Sequence, residues 1–297
     1  MSQLENKRLE TAATLSEALP YMKEFSGDTF VIKFGGNAMG DTDLTESFSQ
    51  NIVLMKQVGI NPIVVHGGGP QIGKMLKRLN IKTNFVDGLR VTDKGTVEIV
   101  EMVLSGKINK EIVESINNCG GIAVGISGKD SNLIKAQRLT KKSHKSDSSI
   151  ENILDLGFVG EPKSINPYIL NIFEKSDIIP VIAPIGVGED GETYNINADT
   201  VAGAIASSIK ARKLIILTDV KGVLDKDKKL VEQLDIKTSK ELMASNVISE
   251  GMIPKIQTCV SALNNGTEAV HVLDGRVKNA LLLEVFTEKG IGTKIIQ

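Results

Sequence analysis

Short β-branched apolar runs alternate with longer helical segments along this chain, and this alternation constrains the fold more than any other feature. Parallel strands that are buried on both faces read as continuous apolar runs, and the helices that connect them cover the two faces. The sequence therefore predicts an α/β fold with a mostly parallel sheet. The predicted strands are TFVIKF (29–34), NPIVVH (61–66), GIAVGI (121–126), IIPVIAP (178–184), KLIILTD (213–219) and AVHVLD (269–274).

The connecting segments have helical periodicity. One apolar stripe recurs at the spacing of a helix face; it comprises Val97, Val100, Leu104, Ile108, Ile112 and Ile116. A second helix is expected through VAGAIASSIKA, with Asp199 or Thr200 as its N-cap.

Two regions depart from the alternation. Residues 131–160 read as short strands around RLTKKSHKSDSS, whose lysines and serines predict a solvated hairpin tip. Glycines and acidic residues in PIGVGEDGETYN predict a boundary near residue 186. We expect two lobes, residues 26–185 and 186–297, preceded by an N-terminal segment, residues 1–25.

Composition excludes several classes of protein. The formal net charge is −1, so no global basic field favours nucleic acid or an anionic membrane. The two cysteines, Cys119 and Cys259, are far apart, which excludes a disulfide scaffold and a cysteine-ligated zinc site. The polar N-terminus lacks the apolar core of a secretion signal, and no apolar run spans a membrane. We expect a cytoplasmic protein.

Two glycine clusters follow predicted strands directly, Gly35–Gly36 in FVIKFGGNAMG and Gly67–Gly69 in PIVVHGGGPQIG. Ligands of open parallel sheets bind beyond the carboxyl ends of the strands, where glycine lets backbone N–H groups approach an anion. Gly69 and Pro70 then open a helix, whose N-terminus also favours an anion. The spacing fits neither a Walker A loop nor G-x-G-x-x-G. Two tight turns without a ligand are the alternative.

Two lysines point to an anionic ligand. Lys33 ends an apolar strand just before a glycine cluster, and burying it without an anion would be unfavourable. Lys255 in GMIPK follows Pro254 at a helix start, where the helix dipole does not favour a cation. Either lysine could instead extend to solvent.

Six motifs, in this order and spacing, resemble the amino acid kinase superfamily, and within it the acetylglutamate kinases. They are KFGGNAM, VVHGGGP, DGLRVTD, NINADTVAG, LTDVKGV and GMIPKI, and the likeness runs from about residue 10 to the C-terminus. The resemblance implies an open three-layer αβα sandwich. It also implies transfer of the γ-phosphoryl group of ATP to the side-chain carboxylate of N-acetyl-L-glutamate, in arginine biosynthesis, with the acceptor in the N-terminal lobe and ATP with Mg²⁺ in the C-terminal lobe.

The resemblance also implies residue roles. Lys33 and Lys255 would stabilise the transferred phosphoryl group, and Asp199 would orient both lysines. The acceptor would be bound by Gly68, Gly69, Arg90 and Asn195. The nucleotide would be bound by Gly35, Gly36, Thr218, Asp219 and Gly222. No residue is assigned as a metal ligand. Asn37 stands where family members often have histidine, and it could still donate to a phosphate oxygen.

Arginine-sensitive members of the family have a kinked N-terminal helix that joins dimers into a hexameric ring. Residues 9–25 are similar, with Pro20 inside an apolar pattern of Ala12, Leu15, Leu19 and Met22. The resemblance implies a hexamer built as a trimer of dimers, with L-arginine as a feedback inhibitor. Its site would comprise His271, Glu284 and Gly292, together with Tyr21 and Lys210.

Several alternatives remain open from sequence alone. Arg90 could form a surface ion pair, Asp199 could serve only as an N-cap, Asn195 and Asn197 could be turn residues, and residues 9–25 could be an extra packing helix. His66 lies in an apolar strand and is typical of a core histidine. The chain could phosphorylate glutamate, carbamate or a nucleoside monophosphate, or be a ligand sensor without catalysis. A nicotinamide oxidoreductase lacks its glycine fingerprint here.

Overall fold

The computed structural model describes residues 3–86, 89–143, 152–245, 247–248 and 251–297. Asp87 and Gly88 of DGLRVTD, and residues 144–149 at the predicted hairpin tip, lie outside the described residues. Within the described ranges, each helix is too short or too polar to cross a lipid bilayer.

The helices cover both faces of the sheet and alternate with strands along the chain. They are α1 (Gln3–Phe25), α2 (Thr42–Gln57), α3 (Gly69–Arg78), α4 (Lys94–Glu101), α5 (Asn109–Asn118), α6 (Tyr168–Glu174), α7 (Ala198–Ser208), α8 (Ile236–Ala244), α9 (Ile253–Asn264) and α10 (Ala280–Val285). Short 3₁₀ turns cover Gly36–Gly40 and Asp130–Asn132, and a π-helical segment, Met102–Ile108, joins α4 to α5.

The strands build one large sheet, a small barrel and a two-stranded ribbon. They are β1 (Thr29–Phe34), β2 (Asn61–His66), β3 (Phe85–Val86), β4 (Leu89–Arg90), β5 (Ile122–Ser127), β6 (Ile134–Ser143), β7 (Asn152–Ile165), β8 (Ile178–Ala183), β9 (Ile185–Val187), β10 (Thr193–Ile196), β11 (Lys213–Thr218), β12 (Gln233–Asp235), β13 (Ala269–Asp274) and β14 (Thr293–Ile296).

The central sheet has eight strands in the order β12-β14-β13-β11-β1-β2-β8-β5. Adjacent strands in this sheet run parallel, except that β13 and β14 run antiparallel to each other. This mostly parallel sheet confirms the predicted α/β sandwich. Strands from residues 26–185 form one half and strands from residues 186–297 the other, and they meet where β1 pairs with β11. The division into two lobes stays a prediction.

Strand β1 shows how the two apolar layers form. Phe30, Ile32 and Phe34 point to the layer that contains α2 and α5, whereas Val31 points to the layer that contains α7 and α9. Because side chains alternate along a strand, Lys33 shares the face of Val31. The period of the strand thus directs this lysine toward α7 and α9.

The region that breaks the alternation differs from prediction in one respect. Strands β6 and β7 are long and form an antiparallel hairpin, with register shifts near Ala136 and Thr140, instead of short strands. Together with β9 and β10 they close a small barrel. Barrel closure gives the long strands pairing partners that a local reading of the sequence does not reveal.

Candidate functional site

Lys33, Asp199 and Lys255 come together at the carboxyl end of β1. The Lys33 Nζ atom lies 3.0 Å from Asp199 Oδ1, and Lys255 Nζ donates a hydrogen bond to Asp199 Oδ2. Asp199 and Lys33 are buried, and Lys255 is partly buried. One carboxylate thus holds two amines that enter from a strand and from the first turn of α9.

The N-cap of α7 leaves the Asp199 carboxylate free for this role. Asn197 caps the helix, because its Oδ1 accepts hydrogen bonds from the N–H groups of Asp199 and Thr200. The expectation that Asp199 or Thr200 is the N-cap was wrong. Asparagine is among the preferred N-cap residues, so the NINADT stretch contained the signal.

Electrostatics keep Asp199 ionised. Burial acts to raise the pKa of its carboxyl group, but the nearby charges of Lys33 and Lys255 outweigh burial and hold the pKa below its usual value. The buried cluster of two cations and one anion carries a net positive charge. It therefore attracts an additional anion.

A cavity of about 270 Å³ opens beside this cluster. Its lining combines Lys33 and Lys255 with the second glycine cluster, Arg90 and residues 195–199. The Gly68 backbone packs tightly against the π-helical segment, since a Cβ atom there would lie 2.5 Å from Ile108 Cδ1 and 2.6 Å from Leu104 Cδ2. Glycine at position 68 thus allows a close approach that no other residue would.

Arg90 presents a buried guanidinium at this cavity. Its Nη1 donates to Thr83 Oγ1 at 3.0 Å, its Nη2 donates to the Gly69 carbonyl at 3.2 Å, and the group lies 4.6 Å from the centre of the Phe85 ring. In the described part of the chain, no carboxylate lies within ion-pair distance of it. Burial lowers the pKa of Arg90, yet a guanidinium stays charged at physiological pH.

The first glycine cluster is held by Asp219. Its Oδ1 accepts from the Asn37 N–H at 2.9 Å, and its Oδ2 accepts from the Asn37 side chain at 3.3 Å. Gly36 has φ of 73°, and a Cβ atom there would lie 2.5 Å from Asp219 Oδ1. Gly35 leaves room for Lys33, whose Nζ would lie 2.6 Å from a Cβ atom at position 35.

Two other residues predicted to bind the nucleotide lie near the carboxyl end of β11. Thr218 ends β11 and is buried. Gly222 has φ of 147° and packs against Thr293 of β14. Among the described residues, no three His, Cys, Asp or Glu side chains form a cluster that could hold a metal ion.

Three of the five residues predicted for arginine lie together. His271 Nδ1 and Glu284 Oε1 are 2.6 Å apart, and Glu284 Oε2 accepts from the N–H groups of Ile291 and Gly292. Tyr21 packs partly buried against the core, and Lys210 lies beside Gly266. Neither hydrogen-bonds to this group within the described ranges.

Sequence reasoning missed some residues of the cavity. Phe85 lies over Arg90, Leu104 belongs to the π-helical segment, and Pro184 precedes the barrel strand β9. No motif around Phe85 marks this residue as part of a cavity, and its contact with Arg90 becomes visible only in the fold. The π-helical segment has no sequence signal either, because its apolar positions fit an uninterrupted helix.

A family model described as the amino acid kinase family matches residues 28–274. The chain belongs to this family. It is 60% identical over 287 residues to the acetylglutamate kinase of Rhodospirillum rubrum, and the match covers 97% of this chain and 93% of the relative. It is also 60% identical over 291 residues to the acetylglutamate kinase of Parvibaculum lavamentivorans, and this match covers 98% of this chain and 96% of the relative. These matches identify the chain as a kinase of the acetylglutamate kinase group.

Solved structures agree on the fold. An N-acetylglutamate synthase from Neisseria gonorrhoeae superposes with a TM-score of 0.82 at 24% identity, over 96% of this chain and 63% of that protein. A carbamate kinase from Giardia lamblia superposes with a TM-score of 0.64 at 16% identity, over 92% of this chain and 99% of that one. The kinase thus shares its architecture with both of these proteins.

Proposed function

We propose that this kinase transfers the γ-phosphoryl group of ATP to the side-chain carboxylate of N-acetyl-L-glutamate. The product is N-acetyl-L-glutamyl 5-phosphate, an intermediate of arginine biosynthesis. One observation carries the proposal: the two amines held by Asp199 line one small cavity together with the buried guanidinium of Arg90, which has no carboxylate within ion-pair distance among the described residues. The names of the relatives at 60% identity support the same acceptor.

The cavity suits an acceptor with two carboxylates. The guanidinium of Arg90 can bind the α-carboxylate in a bidentate manner. Backbone N–H groups of Gly68 and Gly69, and the amide of Asn195, can bind the acetyl-amide portion. The second carboxylate would then lie toward Lys33 and Lys255, where the phosphoryl group arrives.

The reaction needs charge stabilisation more than proton transfer. A carboxylate oxygen forms a bond to the γ-phosphorus, the bond from that phosphorus to the β,γ-bridging oxygen breaks, and ADP leaves with the electron pair. Because the acceptor is already anionic, no general base is needed, and repulsion from the triphosphate is the main barrier. Lys33 and Lys255 reduce that repulsion from fixed positions, and Asp199 holds both amines in place.

The nucleotide would bind beyond the first glycine cluster, near Gly35, Gly36, Thr218, Asp219 and Gly222. We treat Mg²⁺ as part of the MgATP substrate, because this ion is held largely by substrate phosphates and water. Asn37 already donates to Asp219. Its role in this proposal is to shape the loop that receives the phosphates.

Release of ADP from MgATP and N-acetyl-L-glutamate tests the proposal, with the acyl phosphate trapped by hydroxylamine. We expect turnover with N-acetyl-L-glutamate and little with L-glutamate, carbamate or UMP. Preference for one of those three acceptors would overturn the proposed substrate. ATP binding without turnover of any acceptor would favour the sensor alternative.

We further propose that L-arginine inhibits the enzyme at the group formed by His271, Glu284 and Gly292. The imidazole of His271 is buried, and its Nε2 has no hydrogen-bond partner among the described residues. Glu284 is the anion that a guanidinium would need. We expect Glu284→Gln to weaken inhibition strongly at unchanged kcat, whereas Glu288→Gln, an exposed control, should inhibit normally. Equal sensitivity of both variants would exclude this site.

We also propose that α1 mediates assembly of a cytoplasmic hexamer. In the single chain Leu9, Leu15 and Leu19 are exposed, whereas Ala18 and Phe25 are buried. Tyr21 and Met22 pack against the core of the same chain, whereas the exposed leucines form an apolar face that the single chain leaves uncovered. A second copy is the partner that would cover it.

A further inference from the structure

His66 ends strand β2 directly before the glycine cluster that lines the cavity. The imidazole is fully buried, and its Nδ1 lies 2.8 Å from the Gly67 carbonyl oxygen. A carbonyl can only accept a hydrogen bond, so Nδ1 carries the proton. The other nitrogen, Nε2, lies 3.3 Å from Asn109 Nδ2 and accepts from it.

Asn109 anchors the imidazole to the rest of the fold. Its Nδ2 also donates to the Val181 carbonyl of β8 at 2.8 Å, and its Oδ1 accepts from Lys110 Nζ at 3.1 Å. Asn109 is the first residue of α5, immediately after the π-helical segment. These hydrogen bonds hold the ring between β2, β8 and α5.

The neutral ring is the form that fits these contacts. A second proton on Nε2 would face the N–H of Asn109 and break that hydrogen bond. Burial lowers the pKa of His66 to about 4, and the nearby Lys110 acts in the same direction. The neutral tautomer with the proton on Nδ1 is therefore the form that satisfies both hydrogen bonds of the ring.

Holding one carbonyl fixes the direction of the next N–H. A peptide unit is planar and trans, so the C=O of Gly67 and the N–H of Gly68 point in opposite directions. We propose that His66 is a positioning residue, which anchors the Gly67 carbonyl so that the Gly68 N–H faces the acceptor cavity. Glycine pairs need such an anchor, because their backbone has the widest choice of conformations. This inference rests on the proposed function of the cavity.

Two amide substitutions separate the two hydrogen bonds of the ring. In His66→Asn the side-chain amide can replace Nδ1 at the Gly67 carbonyl, whereas in His66→Gln it reaches the position of Nε2 beside Asn109. We expect His66→Gln to raise KM for N-acetyl-L-glutamate about tenfold, the loss of roughly one oriented hydrogen bond, with KM for ATP unchanged. His66→Asn should keep KM within about threefold of the wild type.

A merely structural role would give a different result. Loss of folded enzyme lowers kcat in proportion and leaves both KM values unchanged, and it should affect the two variants alike. Equal KM values for His66→Gln and the wild type would overturn the proposal, as would a larger effect of His66→Asn than of His66→Gln.

A measurement on the wild-type protein remains decisive if a variant fails to fold. The ¹⁵N chemical shifts of the His66 ring should show the proton on Nδ1 at pH 7 and at pH 5.5. A proton on Nε2 would overturn the positioning role. If the wild type shows this tautomer but does not phosphorylate N-acetyl-L-glutamate, the proposed function fails while the anchoring of the loop stands.

Discussion

Lys33 illustrates how far a single residue can be interpreted from sequence. Its place at the end of an apolar strand predicted a buried cation that needs an anion, and the structure places it 3.0 Å from Asp199 Oδ1. This partner, Asp199, lies 166 positions after Lys33 in the sequence, at the start of α7. Strand periodicity indicated which face Lys33 occupies, but only the packing of α7 and α9 brought the three charges together.

Removing the Lys33 amine should impair the chemical step. We expect Lys33→Ala to lower kcat about 100- to 1,000-fold, which corresponds to ~2.7–4 kcal/mol of lost charge stabilisation. Lys175→Ala removes an exposed lysine outside the cavity and serves as the control. Steady-state ADP release measures both variants, and unchanged turnover of Lys33→Ala would contradict the catalytic role.

Burial of His66 should make stability depend on pH. Its pKa falls from 6.5 in the unfolded chain to about 4 in the folded protein, so the unfolded chain takes up a proton first as the pH drops. The contribution is fully present above pH 6.5 and is lost toward pH 4, by roughly 3 kcal/mol. Urea unfolding of the wild type and His66→Asn at pH 7.5 and pH 5 measures this. The difference in stability between the two proteins should change with pH, and a constant difference would contradict the assignment.

At the scale of the element, the six predicted apolar runs each contain or form a strand of the central sheet. Their β-branched, continuously apolar composition was sufficient. The π-helical segment, Met102–Ile108, was not predictable, because the stripe from Val97 to Ile116 keeps an apolar residue on nearly every turn. The backbone of Met102–Ile108 shows the wider turn, and Leu104 and Ile108 of this segment pack around Gly68.

This tight packing gives a prediction for the loop. In Gly68→Ala the new methyl group would meet both Leu104 and Ile108 below van der Waals distance, so the loop must move away from the π-helical segment. We expect KM for the acceptor to rise at least about tenfold. Gly106→Ala, in the same segment but with open space around it, is the control. If both variants keep the wild-type KM, the loop is more tolerant than the contacts indicate.

At the scale of the whole molecule, the fold class was predictable because alternation of strand and helix leaves few ways to cover a parallel sheet. The small barrel was not, since its strands pair across long sequence separations and include β9, which has three residues. Resemblance selected several residues that the structure brings together around one cavity, among them Lys33, Arg90 and Asp199, and their roles stay predictions. The internal geometry of the site, including the cap by Asn197 and the anchor at His66, required the coordinates.

Assembly gives the prediction for the whole molecule. Replacing Leu15 and Leu19 by glutamate keeps the buried Ala18 and Phe25, so the single chain should still fold. We expect sedimentation velocity to show a smaller particle than the wild type, because charged side chains on this face oppose burial between copies. Ser16→Glu, at an exposed neighbouring position, should sediment as the wild type does. Identical sedimentation of all three proteins would exclude α1 as the assembly element.

The wide spacing along the chain of the three charged residues at the site has a consequence for synthesis of the protein. One amine of the site belongs to residue 33 and the other to residue 255, and the carboxylate that unites them lies between in sequence. A chain interrupted before α9 carries only the first amine. On the proposed mechanism, fragments released by a stalled ribosome or by a protease therefore hydrolyse little ATP, and the active enzyme forms only after α9 has been synthesised.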